Sequence, residues 1–212
     1  PEFEVKMQCK NKDPIYAGEK VRLCLSGSSL SGGKVRKAKT TWTVNPWAGA
    51  IYFDNFPGYS FNPEDSSLNR KSGLAESVQT LSDDSGISSV DVTTLSQGYC
   101  GRVDYRVTGV MQDVTRQERS DEAHFSVLPA EVLVGVSAKQ KTSLKKRTPN
   151  EIACNFVAVD KNGDLVKDTT VDVTIEETSK GKSPIVEKHK VTIADKPTAL
   201  NYQTSYFKER CA

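Results

Sequence analysis

The chain has 212 residues, with 29 lysines and arginines against 27 aspartates and glutamates, so its formal charge of +2 sets up no net field that would draw in nucleic acid. A hydrophobic share of 36% with 26% charged residues excludes a disordered chain. No run approaches the ~18 uncharged apolar residues of a membrane helix; the most apolar stretch, Val127 to Val136, is interrupted by Pro129 and Glu131.

Alternation of apolar and polar residues dominates from the start, as expected for half-buried strands of antiparallel sheets. Phe3, Val5, Met7 and Cys9 share one face; Val21, Leu23 and Leu25 then alternate with Lys20, Arg22 and Cys24. Cys9 therefore points inward and Cys24 outward, which argues against a disulfide between them. Further strands are read over Lys37 to Val44, Ser77 to Leu81, Ile87 to Thr94, Arg102 to Met111 and Glu122 to Val127. No segment of this half has helical periodicity, and short strands without intervening helices make a sandwich.

Between Asn45 and Gly73 the alternation fails and aromatics crowd in: Trp47, Tyr52, Phe53, Phe56, Tyr59 and Phe61. Such a long loop is expected either to cover an open end or edge of the first sandwich or to form a recognition patch. A domain boundary is placed at Leu128-Pro129-Ala130, because the strand pattern stops at a proline and restarts at once. The expected domains are 1–129, carrying the 45–73 loop, and 130–212. In the second, Val132, Val134 and Val136 share one parity, and Ile152, Cys154 and Phe156 are assigned inward; Asn162-Gly163 makes a hairpin turn, and strands follow at Thr170 to Ile175 and Val191 to Ile193. The pattern weakens from Pro197, so this domain is expected to continue beyond the sequence given, and Cys211 to find any partner there.

Little points to chemistry. Asp160-Lys-Asn-Gly-Asp164 resembles the start of a calcium loop, but Val171 stands where a bidentate carboxylate is needed, so a hairpin turn is the expectation. Asp83-Asp-Ser-Gly86 is likewise a turn. His124 and His189 lack ligand-spaced neighbours, the five cysteines form no Cys-x-x-Cys, and there is no Gly-x-Ser-x-Gly or phosphate-cradling loop. No catalytic residue, cofactor or metal site is expected. Lys34 to Lys39 and Lys139 to Arg147 are basic clusters, the second on a loop. The residues expected to meet a partner are Trp47, Tyr52, Phe56 and Tyr59 in the aromatic loop and Lys145, Lys146 and Arg147 in the second basic cluster. They support one reading of the chain as an adhesion or receptor module that binds a protein or glycan through the 45–73 loop.

Two stretches carry a resemblance. Tyr105-Arg-Val-Thr-Gly-Val-Met-Gln-Asp-Val-Thr-Arg-Gln-Glu-Arg119 followed by Ala123-His-Phe-Ser-Val-Leu-Pro-Ala-Glu-Val-Leu-Val-Gly-Val136 is similar to the junction between successive macroglobulin domains of bacterial alpha-2-macroglobulins, and Val157-Ala-Val-Asp-Lys-Asn-Gly-Asp-Leu-Val166 resembles the hairpin that follows it. Tyr16-Ala-Gly-Glu19 and Gly58-Tyr-Ser-Phe61 fit the preceding domain. The resemblance implies an all-β pair of fibronectin- or immunoglobulin-like sandwiches from the middle of a larger envelope protein, in the periplasm or at the cell surface and lipid-anchored when full-length. Full-length members trap proteases: cleavage of a bait segment triggers rearrangement, and an internal thioester can capture the attacker. The implied role here is non-catalytic, with proteases as partners of the whole protein and neighbouring macroglobulin domains as partners of this segment. The thioester needs Cys-x-Glu-Gln, which none of the five cysteines provides, so no reactive residue is carried over.

Overall fold

The computed structural model describes residues 2–64, 76–95, 100–141, 151–178 and 183–203. Every regular element among them is a strand, and the chain divides into two compact units: Pro1–Ile51 with Asn62–Ala130, and Tyr52–Phe61 with Glu131–Ala212. The all-β expectation is met.

The first unit holds β1 (Phe3–Cys9), β2 (Ile15–Tyr16), β3 (Lys20–Ser29), β4 (Lys39–Ala48), β5 (Glu76–Leu81), β6 (Ile87–Thr93), β7 (Val103–Gln112) and β8 (Glu118–Leu128). They form a three-stranded sheet in the order β1-β3-β6 and a five-stranded sheet in the order β2-β8-β7-β4-β5, antiparallel except for the short β2–β8 pair. Alternation decides which residues lie between the sheets. Val21, Leu23 and Leu25 of β3 and Val103, Tyr105, Val107 and Met111 of β7 are all buried in one core, as their parity requires. The Tyr105 and Phe125 rings stack in that core with centroids 4.9 Å apart.

The register also settles the two cysteines. Cys9 lies opposite Leu23 and packs against the core, whereas Cys24 lies opposite Gln8 and meets Ser89 Oγ at 3.4 Å. Facing away from each other, both are free thiols. One boundary differs from expectation. β4 runs on past Val44 to Ala48, pairing Asn45, Pro46 and Trp47 with Arg106, Tyr105 and Asp104. Among the described residues the β4–β5 pairing runs from Lys39–Leu81 to Val44–Glu76, while the β4–β7 pairing continues through Pro46 to Ala48.

The outer edge of β1 is closed by a side chain. Asp121 of β8 accepts a 2.7 Å hydrogen bond from the Met7 backbone N–H through Oδ2, and Oδ1 accepts from the Glu122 N–H. A carboxylate here satisfies a donor that would otherwise invite a foreign strand. Asp121→Ala is expected to cost ~1–2 kcal/mol in urea unfolding, with Asp121→Asn, which retains one acceptor, costing less.

The second unit holds β9 (Leu133–Lys141), β10 (Glu151–Val159), β11 (Thr169–Glu177), β12 (Ile185–Ile193) and β13 (Thr198–Gln203), arranged as a β13-β10-β9 sheet and a β11-β12 pair. Phe156, Ala158, Val191 and Ile193 form its core, with Cys154, Val171 and Val173 packed against it. The Cys154 thiol has its pKa raised by burial, as suits a small residue filling a core. The expected hairpin turn is present. Asp160 Oδ1 accepts from the N–H groups of Asn162 (2.8 Å) and Asp164 (3.0 Å). The bonds from Asp164 and Asn162 hold this carboxyl below its ordinary pKa and commit it to the turn.

Phe156 and Cys154 face the core as expected, yet parity alone does not describe burial in this unit. In β9 the buried positions are Leu133 and Gly135, while Val134 and Val136 are each 38% exposed. In β10, Val157 and Val159 are as buried as Phe156 and Ala158, on the opposite parity. The β13-β10-β9 sheet is therefore covered on both faces, and a strand buried on both faces reads as a continuous apolar run, as Phe156-Val-Ala-Val159 does.

Candidate functional site

Tyr52–Phe61, the core of the aromatic loop, supplies the cover for that second face. Its base is clamped by a reciprocal amide bridge: the Ile51 N–H donates to Asn62 Oδ1 (2.7 Å) and Asn62 Nδ2 donates to the Ile51 carbonyl (3.0 Å). Within the segment the Phe56 N–H bonds the Phe53 carbonyl, and the Tyr59 N–H bonds the Phe56 carbonyl. Pro57 and Gly58, with Gly58 at φ 82°, occupy the central positions of the second turn, the residue types that a type II turn demands. Ser60 then pairs with Val136 through two backbone hydrogen bonds of 2.8 and 2.9 Å. This gives β9 a partner on the side away from β10 and blunts an edge.

The aromatic side chains hold the segment down. Phe61 is buried, and its ring comes within 2.5 Å of where a Cβ on Gly135 would stand. Gly135 lies opposite Val157 in the β9–β10 register, and Leu133 lies opposite Val159. These are the residues that the simple alternation left unexplained. Phe53 sits edge-on to Phe61 with centroids 4.9 Å apart, and 2.7 Å from where a Cβ on Gly163 would be. Phe56 meets Tyr59 at 5.9 Å and Phe61 at 6.4 Å, both edge-on. Each such pair adds ~0.5–1.5 kcal/mol beyond area burial.

The residues expected to meet a partner thus have different fates. Trp47 is on β4 of the first unit and 39% exposed; Tyr52 is 80% exposed; Phe56 and Tyr59 are half-buried in the aromatic cluster of the second unit. Lys145, Lys146 and Arg147 lie outside the described residues. The loop was expected to belong wholly to the first domain, yet its residues 52–61 group with the second unit. Alternation says which side of a strand is apolar, and it carries no information about which sheet a loop lies on. The glycines were the available signal: Gly135 in an apolar strand and Gly163 in a turn each leave room for a ring.

On the outer face of the five-stranded sheet, Arg106 Nε donates to Glu122 Oε2 (2.8 Å) and His124 Nε2 lies 3.0 Å from Glu122 Oε1. Hydrogen bonds from His124 and then Arg106 hold the Glu122 carboxyl below its ordinary pKa. Arg102 Nε donates to Asp104 Oδ1 (2.7 Å), which also accepts from Ser126 Oγ (2.7 Å). These are mutually satisfied surface networks that leave no group poised for proton transfer. No group of three or more His, Cys, Asp or Glu side chains among the described residues could hold a metal ion.

Comparison with solved structures places the architecture. Alpha-2-macroglobulin from Escherichia coli, in its trypsin-activated form, matches over 95% of this chain with a TM-score of 0.62 at 16% sequence identity. The fold is that of a segment of bacterial alpha-2-macroglobulins. The E. coli protein activated by porcine elastase gives a TM-score of 0.54, and the Salmonella alpha-2-macroglobulin reacted with methylamine gives 0.52, each at 12% identity over 95% of this chain. The chain spans only 15% of the length of the trypsin-activated E. coli protein and 19% of the elastase-activated one. No protein-family model and no curated protein matches the sequence. The all-β architecture expected from strand alternation agrees with these macroglobulin-type neighbours.

Proposed function

We propose that this chain is a non-catalytic, two-sandwich segment of an alpha-2-macroglobulin-like, broad-spectrum protease inhibitor of the periplasm or cell surface. The observation that carries the reading is the likeness, over 95% of the chain, to a macroglobulin that trypsin activates. Within the whole protein the segment frames the trap and contacts neighbouring macroglobulin domains, while the bait and any thioester lie elsewhere; none of its five cysteines begins a Cys-x-Glu-Gln. The satisfied surface networks support a structural role, because a framing domain needs rigid sheets and no reactive group.

The test uses the full-length protein challenged with trypsin or elastase. Trapping leaves the protease able to cleave a small chromogenic peptide and unable to cleave a large protein substrate, so activity on the large substrate is expected to fall selectively. Equal loss on both substrates would show active-site blockade, and no loss on either would remove the inhibitor reading.

A second reading, docking of a protein or glycan through the aromatic loop, draws support from the 80% exposure of Tyr52 and the partial exposure of Trp47. Phe56, Tyr59 and Phe61 are engaged in packing the second unit. Binding to an array of glycans and surface proteins that survives Tyr52→Ala and Trp47→Ala unchanged would discard this reading.

A further inference from the structure

The first unit contains a cleft that its framing role does not use. About 310 Å³ in volume, it is lined by Phe3, Ser29, Lys34, Val35, Arg36, Asp113 and Val114. Its inner wall is apolar: Phe3 belongs to the buried core, and Val35 packs against that core. Its outer apolar wall is Val114, 90% exposed at the β7–β8 turn. Val114 thus adds accessible apolar area to the mouth of the cleft.

The charges are equally uneven. Lys34 and Arg36 are exposed and pair with no carboxylate among the described residues. Asp113, the one acid in the lining, is committed to its own turn: Oδ1 accepts from the N–H groups of Thr115 (2.8 Å) and Gln117 (2.9 Å), and both oxygens accept from Thr115 Oγ1. Arg119, outside the lining, places its guanidinium carbon 6.0 Å from the centroid of the Phe3 ring. Two unpaired cations against one occupied carboxylate leave the cleft net positive over an apolar floor.

We propose that this cleft binds a small organic anion with an apolar body, such as an aryl or short-chain alkyl carboxylate or sulfonate. The apolar part enters against Phe3, Val35 and Val114, continuing the core outward, and the anionic group meets Lys34 and Arg36 at the rim. The volume lies at the lower end of the range for small-molecule sites, ~300–1,000 Å³. That size suits a compact body of up to three aromatic rings. The inference is independent of the inhibitor reading.

The probe is 1-anilinonaphthalene-8-sulfonate, with uncharged N-phenyl-1-naphthylamine as a control of the same shape. Titrated into the 212-residue chain, the sulfonate is expected to bind once per chain at ~10–100 μM, with binding weakening as salt rises. Lys34→Gln combined with Arg36→Gln is expected to weaken it about tenfold or more while leaving the neutral probe unchanged, and Val114→Asp to weaken both probes. Lys161→Gln, in the second unit, is the control and should alter neither. Amide shift changes on the unsubstituted chain provide a measurement that does not depend on any variant, and are expected at Val35, Val114 and their neighbours. Non-saturating binding, unchanged affinity in the double variant, or shift changes centred elsewhere would each overturn the proposal.

Discussion

Replacing Trp42 with alanine is expected to lower the unfolding free energy of the first unit by ~3–5 kcal/mol, the largest effect of any single truncation in that sandwich. Trp42 heads the fully buried side chains of the core and sits mid-way along β4. Its cross-strand partner on β7 is Gly109, and Trp42 Cζ3 lies 3.2 Å from where a Cβ on that glycine would be. The missing side chain at Gly109 leaves the space the indole fills, so truncating the indole leaves a cavity that neighbouring side chains cannot close without moving the sheets. There is a polar cost as well. Trp42 Nε1 donates a 2.7 Å hydrogen bond to Thr80 Oγ1, which is also bonded to Ser88 Oγ. Trp42→Phe, which keeps much of the volume and drops the donor, is expected to cost about half as much. Hydrogen exchange at the Leu23 and Val107 amides is the suitable readout, because those residues are buried in the first unit and report its opening alone. A shift equivalent to less than ~1 kcal/mol would mean that the indole is not the centre of this core.

What the sequence made legible follows from what a period of two can encode. In the first unit each sheet has one buried face, so parity alone placed Val21, Leu23, Leu25, Tyr105 and Val107 correctly, and the Cys9 and Cys24 thiols on opposite faces. The same rule says little about β9, where the sheet is covered on both sides and Gly135, contributing no hydrophobicity of its own, stands at a buried position. Loss of alternation at Asn45 was also an incomplete guide, because β4 goes on pairing with β7 as far as Ala48. For the candidate site, the sequence showed that residues 45–73 are aromatic and lack strand pattern. It could not show that Phe53 and Phe61 are packing residues and Tyr52 an exposed one, because that depends on which sheet the segment meets.

Placing valine at Gly135 tests that packing directly. Gly135→Val is expected to destabilise the second unit by ~2–4 kcal/mol, because its Cβ would stand 2.5 Å from two atoms of the Phe61 ring, and a buried planar ring held by Phe53 and Phe56 cannot yield by rotating a flexible end. Displacing Phe61 also pulls at the Ser60–Val136 pair, so the amides of Ser60 and Val136 should lose exchange protection before those of Val157 and Ile193. Phe61→Ala alone is expected to cost a similar ~2–4 kcal/mol by leaving the Gly135/Val157 face uncovered. The double variant separates steric conflict from general fragility. If the ring lies over Gly135, removing it removes the clash, and Gly135→Val with Phe61→Ala should be no less stable than Phe61→Ala, a coupling of ~2–4 kcal/mol, equal to the whole cost of Gly135→Val alone. Strict additivity of the two losses would mean that valine is refused at position 135 for some other reason, and that the aromatic segment is not what covers this face of the sheet.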